Sequence, residues 1–210
     1  GQAGVVLDVL SYFKNIEVVA FFDYTPDLKD TFIDGVRVFG CITDMSQEVL
    51  SNIDMFHISM GDNKARLELY RSLKAQGLKF LTVVHPTAVV SSTATIGEGC
   101  FIGAQVVIQN NVTISNVTLI NTSAVIEHDN VIGESVHVAP RACTAGNVTI
   151  GNMSFIGIGA VVIPDVVIGE LSFISAGSVI TKNVSDKTKM IGYKSKVHTK
   201  NIYIDVPEEK

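Results

Sequence analysis

Between Val84 and Val184 the chain carries an aliphatic residue at sixteen of seventeen positions spaced six apart. The series runs Val84, Val90, Ile96, Ile102, Ile108, Ile114, Ile120, Ile126, Ile132 and Val138, then Thr144, then Ile150, Ile156, Val162, Ile168, Ile174 and Ile180. Four residues after each stands a small or β-branched residue, from Ala88 to Val184, with Asn130 the exception. Glycine often follows the aliphatic residue directly, as at Gly97, Gly103, Gly133, Gly151, Gly157 and Gly169. A helix repeats every 3.6 residues and a half-buried strand every two, so neither produces this spacing. A six-residue period is that of a parallel β-helix. With three hexapeptides per coil and coils about 4.8 Å apart, the run predicts about five and a half coils and a prism about 27 Å tall.

Upstream, residues 1–83 alternate between helical and extended patterns. Gly1-Gln2-Ala3-Gly4 leads into Val5, Val6, Val9, Leu10 and Phe13, an amphipathic helix. The apolar run Ile16–Phe22 predicts a buried parallel strand ending at Asp23, and Asp34-Gly35 predicts a turn before Val36–Phe39. Asp44–Ser51 is weakly helical; Ile53–Met60 predicts another strand, and Lys64–Gln76 a helix closed by Gly77. A doubly wound α/β domain opens on a strand feeding its glycine-rich loop, whereas here the sequence opens inside that loop. The expectation is a Rossmann-like domain lacking its first strand, with the native protein beginning before Gly1. The resulting plan is a domain over 1–83, a β-helix over 84–184 and a lysine-rich tail over 185–210.

Composition narrows the function classes. Apolar residues make up 47% and charged residues 18%, with a net charge of −5, which gives no electrostatic reason to expect nucleic acid or an anionic membrane as partner. No segment reaches the roughly 18 uninterrupted apolar residues of a membrane span. The three cysteines, Cys41, Cys100 and Cys143, have no metal-ligand spacing, and Cys100 falls at a small inward position, so a buried thiol in a reducing cytoplasm is expected. No metal is expected. Lys182, Lys187, Lys189, Lys194, Lys196 and Lys200 crowd the tail, either as a solvated terminus or as a patch for phosphates.

The repeat also marks where chemistry sits. Its two irregularities, Asn130 and Thr144, bracket Glu127-His128-Asp129, His137 and Ala145-Gly146-Asn147. Residues one coil apart stack, which sets His128 over Asn110 and beneath Gly146. A histidine under a glycine combines a base that titrates near neutrality with an accessible backbone N–H for a developing oxyanion. On spacing alone the alternative is a surface histidine in a turn. Asp129 or Glu127 is placed to orient the imidazole. His137 lies half a coil from His128, on the order of 15 Å away across one prism. If both serve one site, they come from neighbouring chains, which points to a homotrimer with sites in its clefts. His85 reads as structural, His57 as a satisfied core histidine, and His198 carries no signal.

These residues resemble a known group, the sialic acid O-acetyltransferase and bacterial nucleotide-sugar 4-amino N-acetyltransferase family of left-handed β-helix acyltransferases. The likeness covers nearly the whole chain. It rests on Gly1-Gln2-Ala3, Phe22-Asp23, Gly61-Asp62-Asn63 with Arg66, His85-Pro86, Asn121 through Asp129, Ile132-Gly133-Glu134 with His137, and Gly146-Asn147-Val148. The resemblance implies a left-handed β-helix, acetyl-CoA as cosubstrate and direct attack by the acceptor. His128 would be the general base and Asp129 its acid partner. His137 and Gly146 would contact the acetyl group, Ile158 and Ala176 would line the pantetheine cleft, and Gly1, Gln2, Asp23 and Gly61 would hold the nucleotide. The chain departs from the family pattern at Gln2, where histidine is usual, at Tyr24, where a second acid is usual, and at Gly192-Tyr193-Lys194-Ser195-Lys196. The leading expectation is N-acetylation of a nucleotide-linked 4-amino-4,6-dideoxy sugar in surface-glycan synthesis. Its rivals are O-acetylation of a sialic acid or related sugar, and a non-catalytic scaffold that binds nucleotide-sugars or partners.

Overall fold

The computed structural model of the chain describes residues 1–192. The Lys194, Lys196, Lys200 and His198 positions of the tail lie outside the described residues. In the N-terminal lobe, α1 (Gln2–Leu10) buries Val6 and Val9. Strand β1 (Phe21–Phe22) pairs in parallel with β3 (Val36–Phe39), and β3 pairs antiparallel with β2 (Phe32–Ile33). Asp34 and Gly35 both have positive φ, 49° and 81°, as a two-residue hairpin turn of the primed type requires. A single-turn helix α2 (Gln47–Leu50) and the longer α3 (Asn63–Ala75) follow. Asp62 caps α3 by accepting the Ala65 N–H at 2.8 Å, and Gly77, at φ 84°, lets the chain turn away at its end.

Two expected strands are shorter than their apolar runs. Within Ile16–Phe22 only Phe21 and Phe22 join a ladder, and Val19 is 52% exposed. Within Ile53–Met60 the ladder shrinks to one parallel bridge from Phe56 to Phe80. The physical reason is shared: an apolar run becomes a strand only where another strand accepts its backbone bonds, and between these two runs none does among the described residues.

The β-helix begins at Val83–Val84 and follows the expected register. Sheet one stacks Val83–Val84, Phe101–Ile102, Leu119–Ile120, His137–Val138, Phe155–Ile156, Phe173–Ile174 and Lys189–Met190. Sheet two stacks Val89–Val90, Val107–Ile108, Val125–Ile126, Cys143–Thr144, Val161–Val162 and Val179–Ile180. Sheet three stacks Thr95–Ile96, Thr113–Ile114, Val131–Ile132, Thr149–Ile150 and Val167–Ile168. All of these pairings are parallel, as in a left-handed β-helix, and partners stand one coil apart, as in His137 beside Leu119 and Phe155. The last coil is cut short, so Lys189 pairs with Phe173 and the prism runs past Val184. From Ile102 to Ile180 every inward position of the six-residue series is buried, including Thr144. The corners repeat too: every sixth residue from Gly99 to Gly177 has positive φ. Gly151 shows why glycine recurs beside the ladder, since a Cβ there would sit 2.5 Å from the Glu170 nitrogen of the next coil.

The lobe docks on the lower part of sheet one. Val6 and Val9 of α1 pack on Val83, Phe101 and Leu119, while Leu67, Tyr70 and Leu73 of α3 join Phe56, Ile58, Phe80 and Val117. Arg66 is fully buried between the two units. Its Nε donates to Val117 O at 2.7 Å, Nη1 to Met60 O at 2.7 Å, and Nη2 to Asn63 Oδ1 at 2.8 Å and Ser135 O at 2.9 Å. Asn63 reaches further up the prism, donating to Met153 O and Ser154 O.

Candidate active site

His128 occupies the corner between sheets two and three, after Val125–Ile126 and before Val131–Ile132. Its Nδ1 bonds Asp129 Oδ2 at 2.8 Å, and Asn111, one coil below, donates its Nδ2–H to Asp129 Oδ1 at 3.1 Å. Asp129 and Asn111 both have positive φ, 59° and 57°. That conformation, which Asp and Asn tolerate better than most residues, turns the carboxylate back toward the preceding imidazole. The bond to His128, then the bond from Asn111, holds the Asp129 carboxyl below its usual range. An ionised carboxylate accepts only, so Nδ1–H donates to Asp129 and the tautomer it selects has its lone pair at Nε2.

The coil above closes on that ring. A Cβ on Gly146 would lie 2.4 Å from His128 Cε1 and 2.6 Å from Nε2, so only glycine leaves room for the imidazole. The backbone locks the two levels together, with the Asn147 N–H donating to His128 O at 2.9 Å. Among the described residues the Gly146 N–H has no hydrogen-bond partner. Half of the His128 side chain is open to solvent, so Nε2 and this N–H border space that a substrate can enter.

The other expected site residues are divided among separate places on one chain. His137 stands on sheet one, in edge contact with Phe155 at 5.0 Å, and is only partly exposed. Burial, then the Arg66 guanidinium, lowers its pKa to about 4 against an opposing pull from the Gly61 backbone, and Asn121 Nδ2 lies 3.5 Å from its Nε2. Ile158 and Ala176 stack at the corner between sheets one and two, joined by the Gly177 N–H to Ile158 O, and both are exposed. No described contact joins His128 to His137 or to this corner. Gly1 caps α1 and Gln2 is its first residue. Asp23 follows β1 and accepts the Thr25 N–H at 2.8 Å, and Gly61 is an exposed residue just before the α3 cap. A surface groove of about 670 Å³ between α1, Ile16–Val18 and Asp34–Val36 contains none of these four.

The secondary candidates sort clearly. His85 is structural: its Nδ1 accepts from the Thr87 N–H, and Tyr12 packs edge-on against its ring. His57 is a core histidine satisfied on one side only, with Nδ1 on Leu81 O and Nε2 buried without a partner. Cys100 is buried, and that burial pushes its thiol up to about 12. Asn111 is the residue that reading along the chain missed; its one signal is a position one coil before Asp129. Among the described residues no three His, Cys, Asp or Glu side chains gather as a metal would need, and no helix is long and apolar enough to cross a membrane.

Comparison with known proteins agrees with this architecture. Residues 1–73 match the PglD N-terminal domain, and residues 147–182 match the bacterial transferase hexapeptide family. A UDP-N-acetylbacillosamine N-acetyltransferase of Bacillus subtilis (strain 168) is 42% identical over 50 residues, a match spanning 24% of this chain and 23% of the curated relative. The acetyltransferase domain of PglB from Neisseria gonorrhoeae superposes with a TM-score of 0.81 at 27% identity, covering 90% of this chain and 91% of that one. A variant of perosamine N-acetyltransferase from Caulobacter crescentus, solved with CoA and GDP-perosamine, superposes with a TM-score of 0.85. It is 31% identical, covering 91% of this chain and 90% of its own. On that identity and coverage, the chain belongs to the hexapeptide-repeat, left-handed β-helix sugar N-acetyltransferases with a PglD-type N-terminal domain.

Proposed function

We propose that the protein transfers the acetyl group of acetyl-CoA to the 4-amino group of a nucleotide-linked 4-amino-4,6-dideoxy sugar, as a step in surface-glycan synthesis. The observation that carries this reading is the His128–Asp129 pair facing the Gly146 N–H. The sugar amine attacks the thioester carbonyl carbon while His128 Nε2 takes the amine proton. The carbonyl oxygen becomes an oxyanion beside the Gly146 N–H. Collapse breaks the C–S bond, and the imidazolium returns its proton to the departing CoA thiolate. Direct attack is favoured over an acyl-enzyme because Cys143, the thiol stacked beside Val125, is held protonated by burial and by Glu127. Gly1, Gln2, Asp23 and Gly61 bind the nucleotide; Ile158 and Ala176 line the pantetheine path; His137 contacts the acetyl or thioester region.

Because one chain separates His128 from His137 and Ile158, this assignment requires a site shared between chains, which for a three-sided prism we read as a homotrimer. The outward column of sheet two supports one: Val89, Val107, Val125, Cys143, Val161 and Val179 form an apolar stripe beside the His128 corner, with Val89 and Val179 each 64% exposed. A neighbour seated there brings its own sheet one and corner toward His128. A fully active monomer in sedimentation overturns this arrangement.

The function is tested by CoA release with GDP-, UDP- and dTDP-linked 4-amino sugars and with free sialic acid. Turnover of a nucleotide amine, lost by about a thousandfold in His128→Ala with KM little changed, is the expected result. Turnover of sialic acid alone favours the O-acetyl reading. Unchanged turnover in His128→Ala removes the base.

A further inference from the structure

Asn130 is a carboxamide sealed inside an aliphatic column. It is fully buried, and it occupies the inward slot that Val112 fills one coil below and Val148 one coil above. Burying an amide there is costly unless its bonds serve a purpose. Its Nδ2 group donates to Glu127 O at 2.7 Å, to His128 O at 3.1 Å and to Ala145 O at 2.8 Å. The Oδ1 finds no partner, so the slot is not even fully satisfied.

The corner itself does not need this residue. Asn111, Asp129 and Asn147 adopt φ of 57°, 59° and 59°, so the turn has one shape whether valine or asparagine stands behind it. What differs at this level is the set of backbone groups the amide grips. Glu127 and His128 carry the imidazole. Ala145 O belongs to the peptide unit whose nitrogen is Gly146, and among the described residues no peptide is cis. In a trans peptide the C=O and N–H point opposite ways. A side chain that draws Ala145 O into the prism therefore directs the Gly146 N–H outward, toward the space beside His128.

We propose that Asn130 is a positioning residue for acetyl transfer, holding the His128 corner and the Gly146 amide in register from inside the prism. It touches no substrate. The proposal rests on the acetyltransferase reading for its consequence, and on Asn130 alone for its geometry.

The fold supplies both test variants. Asn130→Val repeats the residue of the neighbouring coils. Asn130→Thr copies a device used at another corner, where Thr118 Oγ1 donates to Gly133 O at 2.8 Å and Ser154 Oγ to Gly169 O at 2.7 Å. In both cases the acceptor lies as far along the chain as Ala145 does from Asn130. The expected result is that Asn130→Val keeps or raises the melting temperature while kcat falls by about tenfold or more, with both KM values within about twofold. Asn130→Thr recovers most of that loss. In labelled protein the Gly146 amide and the His128 ring resonances move in the valine variant and return in the threonine variant. Unchanged kcat in Asn130→Val overturns the proposal, as does a drop in melting temperature that parallels the loss of activity. Should the wild-type protein release no CoA with any acceptor, the functional reading fails and the resonances decide: unmoved in Asn130→Val, they overturn the positioning role.

Discussion

At the scale of single residues, the site is set by what stacks one coil away. His128 obtains its carboxylate from the next residue, that carboxylate's second bond from Asn111 below, and its clearance from Gly146 above. The proposed base and its partner are adjacent in sequence and were therefore visible there. The glycine above the histidine was legible from the coil spacing as well, whereas the Asn111 bond emerges only in the structure. Gly146→Ala tests the clearance: the new methyl would displace the imidazole and shield the N–H. The expected outcome is a loss of kcat of about a hundredfold with nucleotide-sugar binding retained, read from KM and from calorimetry with the acceptor alone. Normal kcat would show that the ring does not use this position.

At the scale of elements, the junction between lobe and prism turns on α3. Among the described residues no carboxylate forms an ion pair with Arg66, which is held by carbonyls from Val117, Met60 and Ser135. Burial lowers its pKa to about 10, which leaves it charged at neutral pH. Val117 has φ 49°, costly for a β-branched residue, and its carbonyl accepts the Arg66 Nε–H. Arg66→Met keeps much of the volume and strands those carbonyls. The expected outcome is that the lobe loosens about 3 kcal/mol below the wild type while the prism holds. Limited proteolysis cleaving first within residues 1–83 would report this, and a single cooperative loss of both parts would contradict it. The same level explains the two shortened strands. Ile16–Phe22 and Ile53–Met60 have the composition of buried strands, but composition does not provide the neighbour that a ladder needs.

At the scale of the whole molecule, docking the lobe on sheet one gives the protein an acid-sensitive seam. His137 is lowered to about 4 by burial and by Arg66, and burial lowers His57 as well. Between that value and the ordinary histidine value of 6.5 the unfolded chain binds more protons than the folded one. Stability therefore falls as pH drops through this window, by about 3 kcal/mol for His137. Thermal melts from pH 7 to pH 4.5 should show the decline, and His137→Leu should flatten it. An equal slope in that variant would place the acid sensitivity elsewhere. The proposed assembly belongs to this scale as well, since His128, His137 and Ile158 lie on different faces and corners of one prism.

By itself the sequence determined the prism and its register and singled out the rung proposed to carry the chemistry, because a six-residue period repeats the same local problem at every corner. Its irregularities at Asn130 and Thr144 bracketed the site for the same reason: a departure is visible only against strict repetition. The tertiary structure decided that Asn111 braces the Asp129 carboxylate, how the lobe is riveted by Arg66, and which carbonyls the Asn130 amide grips. Those outcomes depend on contacts between residues one coil or one domain apart, whose geometry no local pattern carries. Asn130 joins the two levels. Its oddity was legible along the chain, and its meaning became legible only when the carbonyls it grips proved to belong to His128 and to the peptide of Gly146.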